Sequence, residues 1–153
     1  MISFIKDVIH FNPVLTIVFV AWITAQTLKF IIGGIKGKLD FYNFIGTGGM
    51  PSGHSAVVSS LATSVGLFEG FNSPLFGLSM AIAIIVMHDA VVIRGAAGKQ
   101  AKALNILARD LHKDQRPEFG HFKTHLGHTP IQVFGGAMLG ITIAFGIWCF
   151  IYV

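Results

Sequence analysis

Gly48-Gly49-Met50-Pro51-Ser52-Gly53-His54-Ser55 stands where a charged, glycine-rich stretch runs into an apolar one. A second junction, Gly127-His128-Thr129-Pro130, opens the last apolar stretch. Both carry Gly-His-Ser/Thr at an expected helix start. Free N–H groups and the positive end of the helix dipole make such a start favourable for an anion. Everything else in the chain is read by where it falls relative to these two junctions.

The apolar stretches between and around them indicate a membrane protein. Of 153 residues, 53% are hydrophobic and 12% charged, about half the usual charged share of a soluble domain. Mean hydropathy is +0.70. Pro13 opens an apolar run to Ile32, long enough to cross a bilayer core of about 30 Å. The second run, from His54 to Phe68, is short and rich in Ser and Ala, which suits close helix packing in lipid. Gly70-Phe71-Asn72-Ser73-Pro74 is a turn. A third run covers 75–93, and the fourth runs from Pro130 to the end. The expected architecture is an all-α polytopic bundle in one integral membrane domain, 1–153. It has about four transmembrane spans (13–32, 54–69, 75–93 and 130–152) plus short interfacial helices. Residues 1–12 are expected to form one such interfacial helix. Ala97, Ala101, Leu104, Ala108 and Leu111 fall at helical steps, so a helix is expected to continue from the third run or to lie in the interface.

Four spans of alternating direction bring Lys29, His54, Asp89, Arg94, Lys99 and His128 to one membrane face. Nothing comparable gathers at the other face. Residues 33–53 hold two Lys and one Asp, and residues 94–127 hold seven Lys/Arg and three Asp/Glu. The positive-inside rule makes this face cytoplasmic. The formal charge of +4 lies almost wholly between apolar runs, which points to anionic lipid head groups or a phosphate substrate. No basic helix or base-stacking signature is present, which argues against nucleic acid as a partner. The single cysteine, Cys149, excludes an intramolecular disulfide.

Two histidines at a cation-rich anion site suit phosphoryl transfer. One attacks phosphorus and the other protonates the leaving oxygen, while Lys and Arg hold the phosphate oxygens. The plainer alternative is that both histidines simply cap helices. Lys29 likewise has a plain reading, snorkelling to the interface. His121, His125 and His128 have near-helical spacing, but no cysteine or paired carboxylate supports a metal site.

Pro51-Ser52-Gly53-His54 resembles the central motif of the type-2 phosphatidic acid phosphatase superfamily. With Asp89, Arg94-Gly95-Ala96-Ala97-Gly98-Lys99-Gln100-Ala101 and Leu126-Gly127-His128-Thr129-Pro130, the chain resembles the divergent branch of that superfamily from Ala25-Gln26 to Gly140. The resemblance implies a six-helix core, completed by short helices in 1–12 and 94–115 or by a second copy in a homodimer. It implies hydrolysis of a lipid phosphate or pyrophosphate through a phosphohistidine, with no metal or other cofactor. The alternative function is a non-enzymatic protein that binds or transports phosphorylated lipids through the inherited anion site.

Carried over residue by residue, His128 is the nucleophile and His54 the acid. Lys29, Lys36, Ser52, Gly53, Arg94 and Lys99 bind phosphate. Lys36 stands where the superfamily has Arg, and Lys cannot reproduce a bidentate clamp. In the third motif Phe122 replaces an Arg, for which Arg94 or Lys123 would substitute. Gln132 replaces the Asp that supports the nucleophile, and Asp89 is the expected stand-in. Its alternative role is a structural pair with Lys29 or Arg94.

Overall fold

The computed structural model describes residues 12–35, 49–111, 122 and 127–152. Helix α1 is Pro13–Ile35, α2 Gly53–Glu69 and α3 Pro74–His88. A π-helical turn, Asp89–Ile93, joins α3 to α4, Arg94–Leu111, and α5 is Pro130–Tyr152. No strand occurs among the described residues.

The helix starts are written in the sequence. Asn12, Ser52 and Ser73 each accept a hydrogen bond at the first turn of their helix, from the N–H groups of Leu15, Ser55 and Phe76. Thr129 and Gln132 form a reciprocal capping box: the Thr129 N–H donates to Gln132 Oε1 at 3.0 Å, and the Gln132 N–H to Thr129 Oγ1 at 3.4 Å. Pro follows the cap in α1, α3 and α5, where its missing N–H has no intrahelical partner to lose.

Three helices are long and apolar enough to cross a membrane: Pro13–Ile35, the continuous Pro74–Arg109 and Pro130–Ile151. This gives the chain membrane-protein character. The expected span 54–69 is α2, with 17 residues. It packs against α1, α3 and α5 and forms the centre of the bundle. It is shorter than those three, and its serines make it more polar. The expected helix at 1–12 lies almost wholly outside the described residues.

The bundle has small residues inside and bulky ones outside. Ser52, Ser55, Ser60 and Ser64 are fully buried, while Phe19, Trp22, Ile84, Ile85, Phe134 and Phe150 face outward. Bulky apolar side chains on the outside suit lipid, and small ones inside let backbones approach. Glycine is required on α5. A Cβ at Gly140 would collide with Ala56 O and Ser59 Oγ, and one at Gly136 with Ser52 O. The buried hydroxyls are satisfied. Ser59 Oγ donates to Ser55 O at 2.6 Å and lies 3.0 Å from Ala137 O on α5, and Ser64 Oγ donates to Ser60 O at 2.7 Å.

The third and fourth helices run on through the π turn as one helical stretch of 36 residues, Pro74–Arg109, about 54 Å at 1.5 Å per residue. A bilayer core is roughly 30 Å, so the charged α4 end extends past it. Of the two expectations for the helix after the third run, continuation is what Arg94–Leu111 shows, and residues 112–115 lie outside the described ones. On α4, Ala101 is buried and Leu104 is 48% exposed, so the apolar stripe is only partly covered.

Candidate functional site

Two polar side chains on α1 are buried at its C-terminal half, Gln26 and Lys29, each 8% exposed. The turn before α2 lies over the lysine stem. Gly49 has φ +87, and a Cβ there would stand 3.3 Å from Lys29 Cγ. Gln26 faces the first residue of α2, with Oε1 3.9 Å from where a Gly53 Cβ would be. The Ser52 N–H donates to Gln132 O at 3.1 Å and ties this turn to α5. His54 follows, exposed, within electrostatic reach of Arg94, Lys29 and Asp89.

The π turn supplies the opposite wall. It advances the hydrogen bond by one residue, so the Arg94 N–H reaches Asp89 O and the side chains five apart meet. Arg94 Nε donates to Asp89 Oδ2 at 2.8 Å, with both groups about one-third exposed. Inserted turns of this kind frequently occur at functional sites. This one also offers a carbonyl to another segment: the His128 N–H donates to Ala90 O at 3.0 Å. Gly127 makes that docking possible. Its φ is +102, and a Cβ would come within 2.7 Å of Gly95 N and 2.9 Å of Arg94 C.

His128 is therefore held by its backbone and buried, 8% exposed. Its Nδ1 and Gln26 Oε1 are the two buried side-chain polar atoms without a hydrogen-bond partner among the described residues. Burial is the main reason its pKa falls below the ordinary histidine value. The charges of Lys29, His54 and Arg94 lower it further, and a backbone contact with Gly127 opposes them. The neutral imidazole is thus favoured, which is the form able to act as a nucleophile.

The fold brings Lys29, Ser52, Gly53, His54, Asp89, Arg94 and His128 to one end of the bundle. Ser52 is fully buried and its hydroxyl accepts from Ser55 Oγ at 3.0 Å, so it caps α2. Lys99 is exposed on α4, one turn past Arg94. Lys36, Lys123, His121 and His125 lie outside the described residues. Among those described, no three His, Cys, Asp or Glu side chains group as metal ligands.

The Asp89 carboxylate is engaged by Arg94, and His128 Nδ1 has no hydrogen-bond partner among the described residues. Gln132, which stands in the position of the superfamily's Asp, turns its amide oxygen to the start of α5 as a cap. At Phe122, where the superfamily has Arg, the side chain is exposed. Its backbone is pinned at both N–H and C=O by Asn105, at 3.0 and 2.9 Å. Sequence reasoning gave no role to Gln26, Ala90 or Asn105. The signal for Gln26 was present, a polar amide three residues before Lys29 in an apolar run. Nothing in the sequence marked Ala90, whose part is played by a carbonyl.

The profile of the Divergent PAP2 family matches residues 10–143. The uncharacterized membrane protein YuiD of Bacillus subtilis (strain 168) is 41% identical, over 80% of this chain and 85% of its own length. No solved structure matches the chain. The chain belongs to the Divergent PAP2 family.

Proposed function

We propose that this family member is a lipid phosphate phosphatase, hydrolysing a phosphate monoester or pyrophosphate of a membrane lipid through a phosphohistidine at His128. The observation that carries the reading is the buried His128, docked on the π turn and surrounded by Lys29, His54 and Arg94. Nε2 of neutral His128 attacks phosphorus, since Nδ1 is sealed. The bond from phosphorus to the leaving oxygen breaks as His54 gives that oxygen its proton. Lys29 and Arg94 hold the phosphate oxygens and stabilise the charge of the transition state. Asp89 positions Arg94. Water, deprotonated by His54, then attacks the phosphohistidine and releases inorganic phosphate, restoring both histidines. The site faces the cytoplasm by the charge distribution of its loops, and the lipid comes to it sideways from the bilayer.

A second reading is a non-enzymatic protein that binds or moves phosphorylated lipids. The absence of a carboxylate on His128 Nδ1 among the described residues favours it, because a forming imidazolium then lacks its usual stabiliser. Phosphate release in detergent from phosphatidic acid, phosphatidylglycerol phosphate and isoprenyl phosphates and pyrophosphates, beside His128→Ala, decides between them. Release that vanishes in the variant supports the phosphatase. Phosphate or vanadate binding by folded protein without release from any lipid supports the binder.

A further inference from the structure

A groove of about 680 Å³ lies along the N-terminal half of α1 and reaches α2 at Val57. That size is within the range of ligand pockets, roughly 300–1,000 Å³. Its α1 wall includes Leu15, Phe19 and Trp22, and its far end reaches Asn12. The wall is continuous with the polar site. Leu15, Phe19, Trp22, Gln26 and Lys29 follow one another at steps of four, three, four and three, which places them in one row along a helix. On α2, Val57 lies three residues after His54, next to it on the same side. The groove thus begins about one helical turn from His54 along α2 and about two from Lys29 along α1, and runs away from them toward the opposite end of α1. From Gln26 to Leu15 the row covers about 16 Å at 1.5 Å per residue.

We propose that this groove is the binding site for the hydrocarbon tail of the phosphorylated lipid, whose phosphate lies among Lys29, His54 and Arg94. The inference rests on the anion-site reading above but not on turnover. A polar head joined to an apolar row is matched by an amphiphile laid along it, phosphate first. A second copy of the chain would cover the apolar row and leave the buried Gln26 and Lys29 at its head without a ligand. The buried Gln26 Oε1, which has no partner among the described residues, sits at the junction. It is suited to accept a hydrogen bond from a protonated phosphate oxygen.

Trp22 lines the groove, and Trp148 is the only other tryptophan. In a Trp148→Phe background, full-length protein in detergent is titrated with dodecyl phosphate carrying bromine at mid-chain, and Trp22 fluorescence is read. The same brominated chain as an alcohol, and unlabelled butyl and dodecyl phosphates as competitors, complete the set. Quenching by the phosphate is expected to saturate, at least about tenfold tighter than by the alcohol. Dodecyl phosphate is expected to displace it at least about tenfold better than butyl phosphate, since two buried methylenes already correspond to roughly that factor. Val57→Phe narrows the groove and is expected to weaken dodecyl but not butyl phosphate. Non-saturable quenching, or equal quenching by alcohol and phosphate, overturns the proposal. Saturable quenching without phosphate release keeps the tail site and removes the phosphatase. Phosphate release without saturable quenching does the reverse.

Discussion

Replacing Gly127 by Ala tests the docking of His128 on the π turn, and Gly70→Ala is its matched control. Both glycines have positive φ, +102 and +91. Forcing a side chain into such a conformation costs about 1–3 kcal/mol at either position. Their surroundings differ. A Cβ at Gly70 meets nothing within 4 Å, whereas one at Gly127 meets Gly95 N at 2.7 Å and Arg94 C at 2.9 Å. Those are backbone atoms that cannot rotate away, so overpacking adds about 1–3 kcal/mol. If the segment retreats instead, the bond from His128 N to Ala90 O is lost, at about 0.5–1.5 kcal/mol. Either way Gly127→Ala is expected to be less stable than Gly70→Ala by about 2 kcal/mol, roughly 4–8 °C in Tm for a chain of this size. Turnover separates them further. A reacting group moved by about 1 Å loses on the order of a hundredfold, so Gly127→Ala is expected to lose about that much while Gly70→Ala stays within about twofold of the parent. Thermal unfolding in detergent and phosphate release on the same preparations give both numbers. Equal Tm and equal turnover in the two variants would refute the docking argument.

Four further outcomes follow from the geometry. Because burial and neighbouring cations lower the His128 pKa, the rising limb of kcat/KM against pH is expected below the ordinary histidine value of about 6.5, and Arg94→Gln should move it upward. The same shift means the unfolded chain binds more protons in that window, so His128's contribution to stability falls as pH drops from about 6.5 through its folded pKa; a Tm series on parent and His128→Ala reads it. Asp89→Asn removes a charge-assisted bond worth about 1.5–3 kcal/mol to Arg94 and is expected to lower turnover about tenfold to a hundredfold rather than abolish it. Complete loss in folded protein would give Asp89 a direct part. Gln132→Ala breaks the capping box and is expected to cost about 0.5–2 kcal/mol of stability with less than about tenfold loss of turnover. A larger loss of turnover at unchanged Tm would mean the amide acts on the histidine.

The helix starts and the meeting of the polar groups were legible in the sequence, because each depends on local chemistry or alternating direction. Asn12-Pro13, Ser73-Pro74 and Thr129-Pro130 announce their helices through a capping oxygen and a proline that sacrifices no bond. Lys29, His54, Arg94 and His128 meet because an even number of antiparallel segments returns them to one end. The role of α2 was less legible. Its Ser and Ala residues were read as close packing, which is right, but one composition serves both a spanning helix and a short central one. The π turn was invisible, since Asp89-Ala90-Val91-Val92-Ile93 has no feature that separates it from α-helix. That turn pairs Asp89 with Arg94 and opens Ala90 O to His128, which is why the sequence left the partner of Asp89 undecided. The capping box at the start of α5 was legible too, since Thr129 stands three residues before Gln132.

Trapping the covalent intermediate tests the phosphohistidine most directly. Full-length protein is mixed with a lipid phosphate that it turns over, quenched in base within the first turnover, and digested for mass spectrometry beside His128→Ala and His54→Ala. Phosphate is expected on His128 and is expected to be absent in His128→Ala. In His54→Ala both its formation and its loss are expected to slow, because that variant lacks the acid of the first step and the base of the second. Turnover with no phosphohistidine, or phosphate on another residue, would contradict the assignment of His128.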